Sequence, residues 1–125
     1  MILLLDAHAL LWWLTDDPIL DRAAYSAIES PSNDVLVSAA TVWELAIKRA
    51  QGRLEAPADI TGVLASSRLV GLPITLSDGE AAARLPRHHA DPFDRMLVAQ
   101  ARRVGAIIVT RDPAFAAYGV ETLAA

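Results

Sequence analysis

Acidic side chains recur in this chain at the ends of predicted strands and within the predicted helices that connect them. The four that stand out are Asp6, Glu44, Asp94 and Asp112. If these carboxylates converge in the fold, they repel one another unless a cation lies between them. The chain has no cysteine, so thiolate ligands and thiol catalysis are excluded. Carboxylate oxygens favour Mg²⁺ or Mn²⁺, and metal-assisted hydrolysis is the chemistry that such a site would support.

Two stretches of sequence explain some of these acids without any metal. Asp91 precedes a proline and is typical of a helix N-cap, and Asp94 in the following turn would complement the helix dipole. Asp112 also precedes a proline and repeats the arrangement. Taken singly, these three acids are therefore more simply interpreted as features of helix starts than as ligands.

The remaining two acids differ in how well capping accounts for them. Thr41 and Glu44 have the spacing of a capping box, in which the glutamate reaches back to the start of its helix. Asp6 directly follows the apolar run MILLL. An acid in that position has little structural use, so at Asp6 the sequence favours function. The conjunction of all four acids strengthens the functional interpretation.

The elements that would position these acids follow from the hydrophobic pattern. Continuous apolar runs at 1–5, 34–38 and 106–110 are typical of strands buried on both faces, with weaker strands at 70–75 and 120–123. Apolar residues at helical spacing predict the other elements. The predicted helices lie at about 7–16, 21–29, 39–51, 58–67, 78–85 and 91–104, with a turn or short helix at 112–119.

Strands that alternate with helices indicate βαβ units and a parallel sheet covered on both faces. We therefore predict a single α/β domain spanning residues 1–125, folded as a three-layer sandwich around four or five strands. In open α/β sheets, ligands bind beyond the carboxyl ends of the strands. The four acids are expected to meet at that edge.

Composition limits the remaining function classes. Hydrophobic residues make up 54% of the chain and the net charge is −4, which argues against a general nucleic-acid coat protein. Early acids interrupt the apolar runs, so no membrane span or secretory leader is predicted, and we expect a cytoplasmic protein. Six arginines lie between Arg84 and Arg111. If the acids form one site, its surroundings are therefore expected to be basic.

Four separated blocks of the sequence carry a family resemblance. The blocks LLLDAHALLWWL, SAATVWELAIK, HHADPFDRMLVAQA and IIVTRDPAF resemble the PIN-domain ribonucleases, and closely the VapC toxins of bacterial toxin–antitoxin pairs. The resemblance covers nearly the whole chain and implies a PIN-like α/β/α sandwich. It further implies RNA hydrolysis by one or two Mg²⁺ or Mn²⁺ ions bound to an acid quartet, which matches Asp6, Glu44, Asp94 and Asp112 here.

The resemblance also suggests a role for each site residue. Asp6, Asp94 and Asp112 are the expected metal ligands, and Glu44 would orient or deprotonate the attacking water. Supporting roles are expected for two further side chains, with Thr110 fixing a carboxylate or a water and Asp91 acting as helix cap or outer-shell residue.

Charged side chains beside the acids are candidates for binding the substrate. Arg95 and Arg111 flank the acids and could hold the scissile or an adjacent phosphate, although surface charges unrelated to a ligand are an equal alternative. Catalytic involvement of His8, His88 or His89 is less favoured, because carboxylates and metal already supply the chemistry.

Other α/β families that use acids fit less well. A haloacid-dehalogenase-type phosphotransferase needs a second aspartate two residues after the first, where this chain has His8. A receiver domain needs a lysine on a late strand, and the single lysine is Lys48. No GxGxxG or GxxxxGK[ST] motif occurs. The serious alternative is a PIN-fold module that binds RNA or protein without cutting.

A partner surface is predicted from large apolar residues that leave the expected core face. In the first helix, Trp12 and Trp13 are predicted to point away from the stripe of Ala7, Leu10, Leu11 and Leu14, and Leu45 to point away from the packed face around Trp43. Burial by a second helix or by a homodimer would explain them equally well. The resemblance to VapC toxins implies a cognate VapB-type antitoxin over Trp12, Trp13 and Leu45, and favours a homodimer.

Overall fold

The protein is built on a five-stranded sheet in a computed structural model that describes all 125 residues. The strands are β1 Ile2–Leu5, β2 Asp34–Ser38, β3 Val70–Leu72, β4 Ile107–Thr110 and β5 Thr122–Ala124. Their spatial order is β3-β2-β1-β4-β5, and every neighbouring pair is parallel. The predicted parallel sheet is confirmed at the upper end of the expected strand number.

Helices cover both faces of this sheet. They are α1 Ala7–Leu14, α2 Arg22–Glu29, α3 Ala39–Ala50, α4 Ile60–Ala65, α5 Leu76–Arg84 and α6 Pro92–Val104, followed by a 3-10 helix at Pro113–Tyr118. Each begins and ends within a few residues of the predicted position. None of them is long and apolar enough to cross a lipid bilayer.

Alternate residues of β1 divide the core into two layers. Leu3 and Leu5 pack with residues of α1 to α4, whereas Leu4 packs with residues of α6 and the 3-10 helix. All three leucines are fully buried, as expected for a central strand covered on both faces. The three-layer α/β/α sandwich is therefore confirmed.

Helix α3 does not bury the face that its apolar spacing predicts. Trp43 was expected in the core and is 62% exposed, whereas Leu45 was expected outside and is 1% exposed. The buried face also contains Thr41 and Glu44. Because α3 contacts both α1 and α6, its inner face meets the acid-rich starts of those helices. Two of the buried residues are thus polar. A prediction based on apolar residues alone therefore assigns the wrong face of α3 to the core.

The pairing of α5 with α6 depends on one buried carboxylate. Asp78 forms a capping box with Thr75 at the start of α5. Its two oxygens also accept hydrogen bonds from the Arg103 guanidinium on α6, at 2.7 and 3.0 Å. Two-point pairing of this kind fixes the orientation as well as the distance of the partners. It therefore links the start of α5 to the last turn of α6.

We expect Asp78→Ala to lower the Tm by about 5 °C or more, because it removes a helix cap worth about 1 kcal/mol together with the link to α6. The matched control is Glu80→Ala, which breaks only the exposed pair with Arg84 and should change the Tm little. Thermal unfolding followed by circular dichroism measures both. Equal effects of the two substitutions would contradict a structural role for Asp78.

Candidate active site

The strand order creates a crevice at the carboxyl end of the sheet. The chain passes from β1 to β2 on one side, and β4 later pairs with β1 on the other. At such a switch point the connections leave in opposite directions and open a space for ligands. Asp6 follows β1 directly, and Thr110 ends the adjacent β4. The structure therefore places two predicted site residues next to each other.

Asp6 is buried at this point and is held by two hydrogen bonds. Its Oδ1 accepts from the Ala9 backbone N–H at 2.8 Å, which makes it the N-cap of α1. Its Oδ2 accepts from the Thr110 hydroxyl at 2.6 Å. The expectation that Asp6 lacks a structural use is therefore wrong, because the strand passes straight into a helix that needs a cap. Thr110 fixes a carboxylate, one of the two positions expected for it.

The start of α6 places Asp94 beside the crevice. Asp91 caps the helix, with its Oδ1 accepting from the backbone N–H groups of Phe93 and Asp94 at 2.8 and 3.4 Å. Pro92 occupies the first turn, where a missing N–H costs nothing. Asp91 is thus the cap that the sequence predicts. The Asp94 side chain is not engaged in capping and remains available to the site.

A histidine joins two of the acids. The Nε2 atom of His89 lies 2.9 Å from Asp94 Oδ2 and 2.8 Å from Asp112 Oδ2. Its Nδ1 accepts a hydrogen bond from the Asp91 backbone N–H at 3.2 Å, so the neutral ring carries its proton on Nε2. His89, Asp94 and Asp112 each offer one ligand atom within 4.8 Å of the others. They form the one group of three such side chains in the fold whose potential ligand atoms lie this close together.

Glu44 approaches the same acids from α3. It is buried, and its Oε2 accepts from the Lys48 ammonium at 2.7 Å. It does not form the capping box suggested by the sequence, because α3 begins earlier and is capped by Ser38. Its charge, like that of Asp6, contributes to raising the pKa of Asp94. Glu44 therefore belongs electrostatically to the acid cluster, by which we mean Asp6, Glu44, Asp94 and Asp112.

The acid cluster carries more negative charge than its surroundings compensate. Burial, and next the neighbouring Asp91 carboxylate, raise the pKa of Asp94 to about 7. Burial also raises the pKa of Asp6, although the hydrogen bonds from Thr110 and Ala9 oppose it. The pKa of Asp112 is lowered instead, chiefly by the hydrogen bond from the Ala114 backbone N–H. Raised pKa values at clustered carboxylates are typical of functional sites.

The PIN-domain family matches residues 3–121 of the sequence. This chain belongs to the PIN-domain family. The prediction made from the four sequence blocks is confirmed at the level of the family. No curated protein matches the sequence significantly.

Solved structures with the same fold include bacterial toxin–antitoxin complexes. VapBC2 from Rickettsia felis, bound to a DNA fragment from its promoter, has a TM-score of 0.76 at 15% identity, covering 98% of each chain. FitAcB from Neisseria gonorrhoeae has a TM-score of 0.64 at 22% identity, covering 99% of this chain and 97% of the other. A toxin–antitoxin complex from Klebsiella pneumoniae has a TM-score of 0.59 at 19% identity, covering 87% and 85%. At these identities the likeness establishes the fold alone.

The two arginines predicted to hold phosphate are committed elsewhere in this PIN domain. The Arg111 guanidinium donates to the carbonyl oxygens of Ile19 and Ala125, and lies 4.6 Å from the centroid of the Trp12 ring. The Arg95 guanidinium donates to five carbonyl oxygens, those of Ala82, Ala83, Leu85, Pro86 and His89. Several of their donors are therefore used by backbone carbonyls around the crevice, and phosphate binding by Arg95 and Arg111 stays a prediction.

The predicted partner surface is also changed by the packing. Leu45 is buried in the core and is removed from that surface. Trp13 is half-buried and its indole N–H donates to Glu29 of α2 at 3.0 Å, so the second helix covers it, as the alternative interpretation proposed. Trp12 is half-buried between Arg111 and the ring of His8, whose centroid is 5.5 Å away. Both tryptophans pack partly against the core.

Sequence reasoning gave too little weight to His89 in this PIN domain. His88 and His89 are adjacent and precede the same helix, so nothing in the residue types separates them. The structure does: His88 is exposed and packs edge-on against Tyr118, whereas the His89 backbone N–H donates to the Tyr118 hydroxyl. Proximity to Asp91 was the available signal, since a histidine two residues before a helix cap can return toward the first turn.

The raised pKa of Asp94 predicts how pH affects the metal-free fold. Between its ordinary value of 3.8 and the folded value of about 7, the folded state retains a proton that the unfolded state has lost. The stability contributed by Asp94 therefore decreases as pH rises through this window. In EDTA, we expect Asp94→Asn to raise the Tm relative to the unmodified protein, and to do so more at about pH 8 than at about pH 5.

The control for this measurement is Asp34→Asn. Asp34 is an exposed acid that begins β2, at the amino end of the strands and opposite the crevice. Its substitution should shift the Tm equally at both pH values. A pH-independent effect of Asp94→Asn would contradict the raised pKa.

Proposed function

We propose that this protein is a cytoplasmic Mg²⁺- or Mn²⁺-dependent endoribonuclease and the toxin of a toxin–antitoxin pair. The observation that carries the proposal is the gathering of four acids at one switch point, with too little positive charge around them. The alternative is a PIN-fold module that binds without cutting. Such a module gains nothing from repelling buried carboxylates, which reduce the stability of the metal-free fold.

The donor set fits a hard divalent cation. Asp94 Oδ2 and Asp112 Oδ2 both approach the point now occupied by the His89 Nε2–H group, so two carboxylate oxygens already face one shared hydrogen-bond donor. Carboxylates select Mg²⁺ or Mn²⁺, and an imidazole nearby is compatible with Mn²⁺ as well. We assign Asp6, Asp94 and Asp112 as the residues that would hold the ion. When bound, it would lower the pKa of a water and neutralise charge on the phosphate oxygens.

The other residues of the site then have distinct roles. Glu44 is placed to orient the attacking water and accept its proton, with Lys48 fixing the position of its carboxylate. Thr110 holds Asp6 through one carboxylate oxygen and receives the Asp112 backbone N–H at 3.0 Å. It therefore couples the ends of β1 and β4. Asp91 acts as the helix cap that aims the first turn of α6 at the crevice.

The proposal predicts RNA cleavage that requires Mg²⁺ or Mn²⁺ and stops in EDTA. We expect Asp94→Asn to reduce the cleavage rate at least about a hundredfold, because it keeps the shape of the side chain but removes a ligand charge. Asp34→Asn, at the amino end of the strands, is the matched control. Rates are measured on labelled RNA with each metal, and folding is checked by circular dichroism.

Two results would count against this function. Folded Asp94→Asn protein that cleaves at nearly the normal rate would remove Asp94 from the ion-binding set. Unmodified protein that binds RNA but never cleaves it, with either metal, would favour the non-catalytic module.

A cognate VapB-type antitoxin is the proposed protein partner. Support comes from similar structures solved as toxin–antitoxin complexes. Trp12 and Trp13 retain some exposed surface, and His8 beside Trp12 leads from that surface toward Asp6. A segment lying over α1 would therefore reach the acid cluster and block it. Leu45 takes no part in this proposal.

We expect Trp12→Ala to weaken antitoxin binding by about 2 kcal/mol or more if the indole is a central anchor. The control is Trp43→Ala, which removes a more exposed indole from α3. Affinities come from calorimetric titration with the antitoxin, alongside inhibition of cleavage. An effect of Trp43→Ala without one of Trp12→Ala or Trp13→Ala would place the partner on α3.

A homodimer is the proposed assembly. Its support is a set of large apolar side chains that this chain leaves exposed from β3 to the start of α5. Val70 is 57%, Ile74 41% and Leu76 91% exposed, and burying these side chains against a second copy would remove apolar surface from water. Sedimentation of the purified protein tests the assembly directly.

A further inference from the structure

An RNA strand lying on four acids needs positive charge for its neighbouring phosphates, and the expected arginines are already partly engaged. Arg95 and Arg111 donate to backbone carbonyl oxygens. Arg103 is similarly engaged with Asp78. Cations elsewhere in the fold are therefore further candidates for holding the substrate.

A small cavity beside the acid cluster contains two cations, Lys48 and Arg53, and the imidazole of His8. Its volume is about 230 Å³. His8 from α1, Lys48 from α3 and Arg53 from the loop after α3 line it, together with four apolar residues, Ala7, Leu11, Leu45 and Leu54. Ala7 follows Asp6 in the chain, and Lys48 is bonded to Glu44. The cavity therefore adjoins the acid cluster at Asp6 and Glu44.

The loop that brings Arg53 to the cavity is fixed by the end of α3. Gly52 adopts a positive φ of 69°, a conformation that favours glycine and reverses the chain after a helix. The Arg53 backbone N–H then donates to the Lys48 carbonyl at 2.9 Å, and Leu54 packs against the core. The sequence QGRL thus holds Arg53 next to Lys48 through its backbone.

The side chains of these cations keep donors free for a ligand. The Arg53 guanidinium makes only a long contact of 3.4 Å, to the Gln51 side chain, and the residue is exposed. The Lys48 ammonium has three donors, of which Glu44 takes one. His8 is exposed as well and stacks on Trp12. Anionic oxygens entering the cavity would meet the Arg53 guanidinium, which has no carboxylate partner, and the two remaining donors of Lys48.

Resting on the proposed ribonuclease function, we propose that this cavity is a subsite for a nucleotide flanking the scissile bond. His8, Lys48 and Arg53 bind its phosphate, and the apolar floor contacts its ribose. The mixed lining suits a sugar-phosphate better than an inorganic anion, which would leave the floor unused. Positive groups that neutralise backbone phosphates supply the sequence-independent part of nucleic-acid binding.

The test measures RNA binding rather than cleavage. Asp94→Asn protein in EDTA is titrated into a short fluorescein-labelled single-stranded RNA of mixed sequence, over a range of NaCl concentrations, and anisotropy reports the affinity. We expect adding Arg53→Gln to weaken binding at least about fivefold and to reduce the slope of log affinity against log salt by about 0.7, the loss of one phosphate contact. Arg53→Lys, which keeps the charge, should retain the slope.

Two matched arginine variants make the result specific. Arg84→Gln, far from the cavity in an exposed pair with Glu80, should leave affinity and slope unchanged. Arg87→Gln tests a second cavity that could bind a flanking phosphate, because Arg87 lines a separate cavity next to His89. Loss of affinity in Arg87→Gln but not in Arg53→Gln would overturn the subsite.

The outcome separates this proposal from the proposed function. Unmodified protein that cleaves RNA, with Arg53→Gln binding as tightly as its parent, would overturn the subsite and leave the nuclease standing. An Arg53→Gln effect on binding in a protein that never cleaves RNA would refute the nuclease and overturn the subsite as part of it, leaving only RNA binding at the cavity. Unchanged RNA affinity with weakened antitoxin affinity would assign the cavity to an acidic protein segment and overturn the proposal.

Discussion

Repulsion between carboxylates at the carboxyl end of the sheet is the constraint that the rest of the site accommodates. The fold reduces this repulsion by pointing helix starts at the acids. Asp6 caps α1, Asp91 caps α6 and Asp112 caps the 3-10 helix. A helix N-terminus offers free N–H groups and partial positive charge. Several carboxylates can therefore be gathered here without a counter-ion for each.

The remaining acids differ in how far positive groups compensate their negative charge. Asp112 has a helix start and His89 as partners, and its pKa is lowered. Asp94 caps no helix and lies beside Asp91, and its pKa is raised to about 7. Glu44 is compensated by Lys48. The unbalanced charge is thus concentrated at Asp94, which is where a cation would relieve most repulsion.

The sequence predicts the features of this arrangement that depend on local chemistry. Apolar runs mark the central strands, and aspartates before prolines mark two helix starts, because both signals come from residues close together in the chain. The buried face of α3 could not be predicted in this way. Its position between α1 and α6 buries Thr41 and Glu44, and that burial is favourable only because tertiary partners are present.

The roles of the arginines could not be predicted from the sequence either. A cluster of arginines near acids suggests phosphate binding, since residue type reveals charge but not which donors are already used. Arg95 instead satisfies five carbonyl oxygens, of which the one belonging to His89 lies in the loop that enters the site. Long side chains with fixed donor geometry are well suited to this task where a helix and a loop end close together.

The position of Arg95 links the surface of the protein to its acid cluster. It lies one residue after Asp94 and, through its guanidinium, holds residues 82–89 against the start of α6. His89 can bridge Asp94 and Asp112 only while that loop stays in place. The adjacent residues Asp94 and Arg95 therefore have different roles. Asp94 lies beside the crevice, and Arg95 fixes the loop that places His89 there. Charge that the sequence alone assigns to the substrate is used by the fold to build the site.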